Sequence, residues 1–168
     1  MIRKMAIFAA AWAAFAGLPA QAVDSSLSLQ ANNAFLAANA KKPGVVVTSS
    51  GLQYRINHTG FGKRPAATDL VTVSYKGQLI NGKVFDATEP GLPAQFTVNK
   101  LIPGWTEALE DMREGDEWQL VIPPDLGYGD RGAGDAIPPG QVLIFDLQLI
   151  SVTPAKKDEN KDNSGQSQ

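Results

Sequence analysis

The spacing of apolar and polar positions changes twice along this chain, and each change marks an element. From Gly51 the period is two: Leu52, Tyr54 and Ile56 alternate with Gln53 and Arg55, and Val71, Val73 and Tyr75 repeat the pattern. That period places one face of a strand on a core and the other toward water. Asn81-Gly82 predicts a tight hairpin turn, with Lys83 to Asp86 as its returning strand and Phe96 to Val98 as another short extended piece. A helical period follows from about Trp105 to Arg113. Trp105, Leu109 and Met112 share one face there, Glu107, Glu110 and Asp111 line another, and Gly115 with Asp116 closes the turn. Trp118, Leu120 and Ile122 return to period two, and Pro123-Pro124 ends that strand. After a loop of some eighteen residues, the last strand carries Leu143, Phe145, Leu147 and Leu149 on one face, with Ile144, Asp146 and Gln148 on the other. Hairpin-rich strands around one helical segment predict an α+β domain: an antiparallel curled β-sheet wrapped around one short amphipathic helix.

The two ends read differently. In residues 1–22, Arg3 and Lys4 precede an apolar run from Met5 to Leu18 that is short for a membrane span, and Ala20-Gln21-Ala22 supplies small residues for cleavage. This is the pattern of a signal peptide, so the chain is expected to be exported, to the periplasm of a Gram-negative source or secreted, without stable membrane insertion. Residues 23–50 form a short, partly helical lead-in. Ala37 to Lys42 favours helix, and Pro43-Gly44 stops it. Residues 51–153 make the domain. Residues 154–168 have no large apolar side chain and are expected to be a disordered tail.

Composition narrows the chemistry. The chain has 15 basic and 17 acidic residues, and the leader holds two of the basic ones. Its removal leaves a mildly acidic protein, poorly suited to nucleic acid or anionic membranes. There is no cysteine and one histidine, His58. Disulfides, thiol ligation, lipidation and Ser/His/Asp triads therefore lack material. Gly127 to Gly134 is glycine-rich but opens no helix, so it makes a poor phosphate cradle. No metal or cofactor is expected, and a catalyst built from these residues would work by binding and shape. Of 13 aromatic residues, three lie in the leader, five fall in three blocks (Tyr75, Phe85, Trp105, Tyr128 and Phe145), and Phe96 lies between the first two blocks. By themselves they read equally as the core of a β-domain.

The blocks are SYKGQLINGKVFDAT (Ser74 to Thr88), LIPGWTEAL (Leu101 to Leu109) and IPPDLGYGDRGAGDAIPPGQVLIFDLQLISV (Ile122 to Val152). Together they resemble the FKBP-type peptidyl-prolyl isomerases, the immunophilins that bind macrolide immunosuppressants. The resemblance covers roughly Gly51 to Val152. It implies an FKBP-like fold, a rotamase that accelerates X–Pro isomerisation during folding of exported proteins, and proline-containing polypeptides as partners. By position, the resemblance implies catalytic roles for Tyr75, Phe85, Asp86, Trp105 and Tyr128. Trp105 would form the floor under the proline ring, and the Tyr128 hydroxyl would bond a ligand carbonyl. It also implies substrate contacts by Phe96, Leu101, Ile102, Ile137 and Phe145, with the Ile102 backbone N–H as a further donor. Tyr75 is the expected hydroxyl partner of a buried Asp86.

The chain also departs from the family pattern. Family members usually carry an arginine in the loop after the Asp86 position, whereas DATEPGLPAQF (Asp86 to Phe96) has none. Ala133 and Ala136 stand where larger groups are frequent, so macrolide binding is expected to be weak and the pocket rim open. These departures keep a second reading in view, a non-catalytic chaperone or proline-peptide binding module using the same pocket. About twenty residues separate the leader from Pro43, too few for the helical arm of dimeric bacterial relatives, so the chain reads as a monomer. A dimeric scaffold built through Val23 to Lys42 is the alternative.

Overall fold

A computed structural model describes residues 25–156; the predicted signal peptide and most of the predicted tail lie outside the described residues. Seven strands form one antiparallel sheet: β1 (Val46–Val47), β2 (Gln53–His58), β3 (Leu70–Gln78), β4 (Val84–Ala87), β5 (Ala94–Thr97), β6 (Glu117–Ile122) and β7 (Leu143–Thr153). Their order is β1-β2-β6-β7-β3-β4, and β5 shares the outer edge of β3 with β4. The first half of β3 pairs with β5 (Val71 opposite Phe96) and its second half with β4 (Gly77 opposite Asp86). Register shifts in β2, between β3 and β7, and at Gly77/Gln78 bend the ribbons. Such bulges add twist, and they curl this sheet over the helix.

That helix, α2 (Pro103–Asp111), begins two residues before the sequence expectation and ends two earlier. Proline explains the start: with φ preset and no N–H to satisfy, Pro103 suits the first helical position, behind an extended Ile102 cap. Nine residues make a helix too short to persist alone in water, so packing must hold it. Trp105, Ala108, Leu109 and Met112 are fully buried against Leu120, Ile122, Leu143, Phe145 and Leu149. Gly104 allows the close approach, because a Cβ there would lie 2.7 Å from the Ile122 side chain.

Three further sequence expectations change. The partly helical lead-in carries a well-formed helix, α1 (Leu29–Asn39), which starts well before the expected Ala37 and ends at Asn39. Ser28 caps α1, its Oγ accepting from the Ala31 N–H. Gln53, assigned to the solvent face by alternation, is buried and bonded to α1, its Nε2 donating to the Leu36 carbonyl. Ile56, expected inward, is 47% exposed near the β2 bulge. On the outer sheet face Val121, Val142 and Ile144 form a second apolar cluster, covered by Phe35, Leu36 and Ile80. The lead-in therefore lies on the domain.

Candidate functional site

The three sequence blocks converge on one end of the core. Tyr75 points inward from β3 with Val71 and Val73, as the period-two pattern requires. It meets the Trp105 ring edge-on at 5.1 Å between centroids, Phe96 at 6.2 Å and Phe145 at 6.3 Å. Trp105 stands nearly perpendicular to Phe145 at 5.1 Å and to Phe96 at 6.2 Å, and Phe85 meets Phe145 edge-on at 5.5 Å. These edge-to-face contacts set the positive ring edges on the negative faces, each adding about 1 kcal/mol beyond area burial. Gly77 makes the packing possible, since a Cβ there would sit 2.6 Å from both the Phe85 and Phe145 rings.

Rings at the inner end are buried, while Phe85, Phe96, Leu101 and Tyr128 are half-buried around them. Ile102 and Ile137 are buried in the same cluster, which Ala133 and Ala136 also join. The structure thus brings all ten candidate residues together. Trp105 Nε1 is enclosed and has no hydrogen-bond partner among the described residues. None of the described residues accepts from the Ile102 N–H, which heads α2.

One carboxylate enters this apolar ground. Asp86 is 3% exposed, and its Oδ2 accepts from the Tyr75 hydroxyl at 2.6 Å while Oδ1 accepts from the Ala87 N–H at 3.0 Å. No cation pairs with it among the described residues. Burial pushes the Asp86 carboxyl above its ordinary range; the bonds from Tyr75 and Ala87 oppose that rise without cancelling it. The Tyr75 hydroxyl is driven up by burial and by its bond to Asp86. Tyr128 is pushed up to about 12 by burial and by the nearby Asp86 charge. Both phenols are therefore protonated donors at neutral pH.

Two loops complete the rim. After β4 the chain makes a tight turn at Glu89-Pro90-Gly91-Leu92, with the Leu92 N–H donating to the Glu89 carbonyl and Gly91 at φ 78°. Thr88 fastens this loop to β3: its Oγ1 accepts from the Tyr75 N–H and donates to the Tyr75 carbonyl, which also takes the Thr88 N–H. The loop is held by the backbone of the very residue whose side chain binds Asp86. Thr88 was missed as a sequence candidate, because a threonine beside a predicted turn carries no signal of its partner. The second loop, between β6 and β7, is closed by paired bonds between Ala133 and Ile137 and by Gly140 N–H to the Gly129 carbonyl. On the opposite sheet face a shallow groove of about 320 Å³ is lined by polar groups such as Lys76, Glu117, Asp146 and Gln148, and none of the aromatic set except Tyr75 borders it.

Among the described residues there is no cluster of metal-ligating side chains, and no helix is long and apolar enough to cross a membrane. A curled antiparallel sheet over one packed helix, with an aromatic cluster at one end of its core whose outer rings are half-buried, defines the α+β domain. Residues 62–150 match the family model described as FKBP-type peptidyl-prolyl cis-trans isomerase, and residues 9–56 match that of the domain amino-terminal to it. The chain belongs to the FKBP-type peptidyl-prolyl cis-trans isomerase family. It is 53% identical over 124 residues to the outer membrane protein MIP of Legionella longbeachae, covering 73% of this chain and 53% of that one. It is 51% identical over 119 residues to the FKBP-type 22 kDa peptidyl-prolyl cis-trans isomerase of Escherichia coli, covering 70% and 58%. The chain thus spans about half the length of these curated relatives. A crystal structure of a peptidyl-prolyl cis-trans isomerase from Pseudomonas syringae superposes with a TM-score of 0.71 at 40% identity, covering 75% of this chain and 93% of that one. FkpA from Escherichia coli gives the same TM-score at 42% identity, covering 74% and 59%.

Proposed function

We propose that this protein is a peptidyl-prolyl cis-trans isomerase that accelerates X–Pro rotation in exported polypeptides as they fold, using the aromatic well as its site. The observation that carries this reading is the buried Trp105, boxed edge-on by Tyr75, Phe96 and Phe145, with half-buried Phe85, Leu101 and Tyr128 in the same cluster. An X–Pro amide rotates against a barrier of about 20 kcal/mol, because twisting breaks the resonance between nitrogen and carbonyl. No bond forms and no proton need move, so a site must only bind the twisted amide better than either planar isomer. The twisted amide has less charge separation than the planar forms, and a dry apolar well favours it over water. Stabilising it by about 7 kcal/mol corresponds to roughly 10⁵-fold acceleration.

In this reading the proline ring rests on Trp105 between Phe85, Phe96 and Phe145, with Leu101 and Ile137 at the sides. The Tyr128 hydroxyl and the Ile102 N–H hold peptide carbonyls, a role open to Tyr128 because its phenol stays protonated far above neutral pH. Asp86, fixed by Tyr75, presents a negative edge to the carbonyl carbon as the amide twists. A macrolide would occupy the same well, weakly, because alanines 133 and 136 supply little rim. The absence of a cation beside Asp86 among the described residues favours one alternative, a proline-peptide binding module that does not turn over. Refolding of a client limited by a slow prolyl step separates the two. Catalytic amounts of an isomerase speed that step and Phe85→Ala does not; a pure binder only slows it, in proportion to its concentration.

A further inference from the structure

The loop that carries Tyr128 and Ile137 is held from outside by the N-terminal helix, through buried side-chain amides. Asn32, 1% exposed at the second turn of α1, uses its whole carboxamide. Its Oδ1 accepts from the Val142 N–H at 2.8 Å. Its Nδ2 donates to Gln141 Oε1 at 3.2 Å and to the Leu27 and Ser28 carbonyls. Gln141, 5% exposed, donates in turn to the Pro139 carbonyl and to the Leu27 carbonyl, each at 3.0 Å. The remaining loop bonds, Ala133 with Ile137 and Gly140 with Gly129, tie the loop only to itself. The amide cluster is what links Pro139 to Val142 to a separate element.

The other end of α1 is attached differently. Asn39 Nδ2 donates to Gln53 Oε1 at 2.9 Å, and Gln53 Nε2 returns a bond to the Leu36 carbonyl at 3.0 Å. That pair fastens the helix to β2 and touches no loop residue. Apolar contacts tolerate sliding, whereas a saturated amide pair in a dry site fixes register and direction. Two amide clasps on one short helix therefore do two jobs, one on the sheet and one on the pocket loop.

We propose that α1 is a brace for the substrate loop, and that Asn32 is a positioning residue, acting through Gln141 and Val142 on Ile137 and Tyr128. The inference rests on the isomerase reading above for its catalytic consequence, though not for its structural one. The test compares Asn32→Leu with Asn39→Leu in the full chain, well below either unfolding midpoint. Each variant removes one clasp from the same helix, but only the first takes away bonds to the loop, those to Val142 and Gln141. The expected result is a fall in kcat/KM on X–Pro tetrapeptides of about tenfold for Asn32→Leu, the order of one lost buried bond. Amides of residues 127–142 should exchange about tenfold faster in that variant, while Asn39→Leu changes neither. Equal loss of kcat/KM in both variants, or faster loop exchange with unchanged kcat/KM, overturns the positioning role. Should Asn32→Leu fail to fold, Gln141→Leu removes the link from the loop side and is read by the same two criteria. A wild-type chain without isomerase activity defeats the functional reading alone, because the difference in loop exchange between the two variants still decides whether the brace exists.

Discussion

Replacing Tyr75 by Phe removes one atom from the structure and should produce a pH-dependent instability. The hydroxyl is one of two donors to a carboxylate that is 3% exposed, and the remaining donor is the Ala87 N–H. A hydrogen bond to a charged group is worth about 2 kcal/mol net, and its loss here leaves part of a buried charge unmet. With a urea slope of about 1.5 kcal/mol/M for a domain of this size, the unfolding midpoint at neutral pH should fall by about 1.3 M. The sign of the pH dependence follows from burial. In the fold Asp86 already sits above its ordinary carboxylate value of about 4, so holding it ionised costs stability above that value. The Tyr75 bond opposes the rise, and removing it moves the carboxyl higher still. The difference between variant and wild type is therefore largest where Asp86 is ionised in both. It shrinks as pH falls through the two raised values and levels off below both, the unfolded value being common to the two proteins. Asp69 and Glu114 titrate in both proteins and cancel in the difference. Urea unfolding by tryptophan fluorescence at about pH 7.5 and at about pH 3, below the ordinary carboxylate value, makes the comparison. A loss equal at both pH values would refute the claim that Asp86 is buried as an anion held by Tyr75.

Further outcomes follow from the same geometry. Gly77→Ala places a Cβ against two rings, and overpacking of this kind should cost about 2 kcal/mol and lower X–Pro turnover, measured by urea unfolding and tetrapeptide kinetics. Asp69 is held below its usual range mainly by the Ala66 and Ala155 N–H groups, and Glu114 by those of Val152 and Lys63. Both therefore stabilise the fold above about pH 4 and lose that contribution as pH falls through their lowered values; Asp69→Asn together with Glu114→Gln should flatten the acid limb of stability against pH. Tyr128→Phe should raise KM on X–Pro peptides several-fold with unchanged urea stability, because its hydroxyl bonds no group among the described residues.

How much was legible in the sequence depends on whether a residue's partner is implied by its own chemistry. The alternating strands were readable because Val71, Val73 and Tyr75, or Leu143, Phe145 and Leu147, can satisfy that spacing only against one core. The Tyr75–Asp86 bond was readable because a carboxylate in an apolar block must find a donor. The aromatic blocks gave the site by resemblance alone; composition left them indistinguishable from core. Helix α1 was read short, from Ala37 onward, because its buried anchors are Asn32 and Asn39, and a hydropathy pattern scores asparagine as surface. The same blindness sent Gln53 to the wrong face, since its partners lie across the chain on α1. Helix α2 was started late because its apolar spacing begins at Trp105, whereas Pro103 and Gly104 form the first turn. Thr88 and Gln141 act through backbone groups distant in sequence, and no local spacing encodes those.

The central claim is that an aromatic well, with no metal or nucleophile, lowers the barrier to prolyl rotation. It is tested most directly by cis-to-trans rates on X–Pro tetrapeptides, comparing the wild-type chain with a folded Phe85→Ala variant. Phe85 is half-buried on Phe145, so its truncation opens one wall without emptying the core. The account predicts strong acceleration by the wild type and its loss, by two orders of magnitude or about 3 kcal/mol, in the variant. Equal acceleration by both proteins, or none by a folded wild type for any residue before proline, would contradict it.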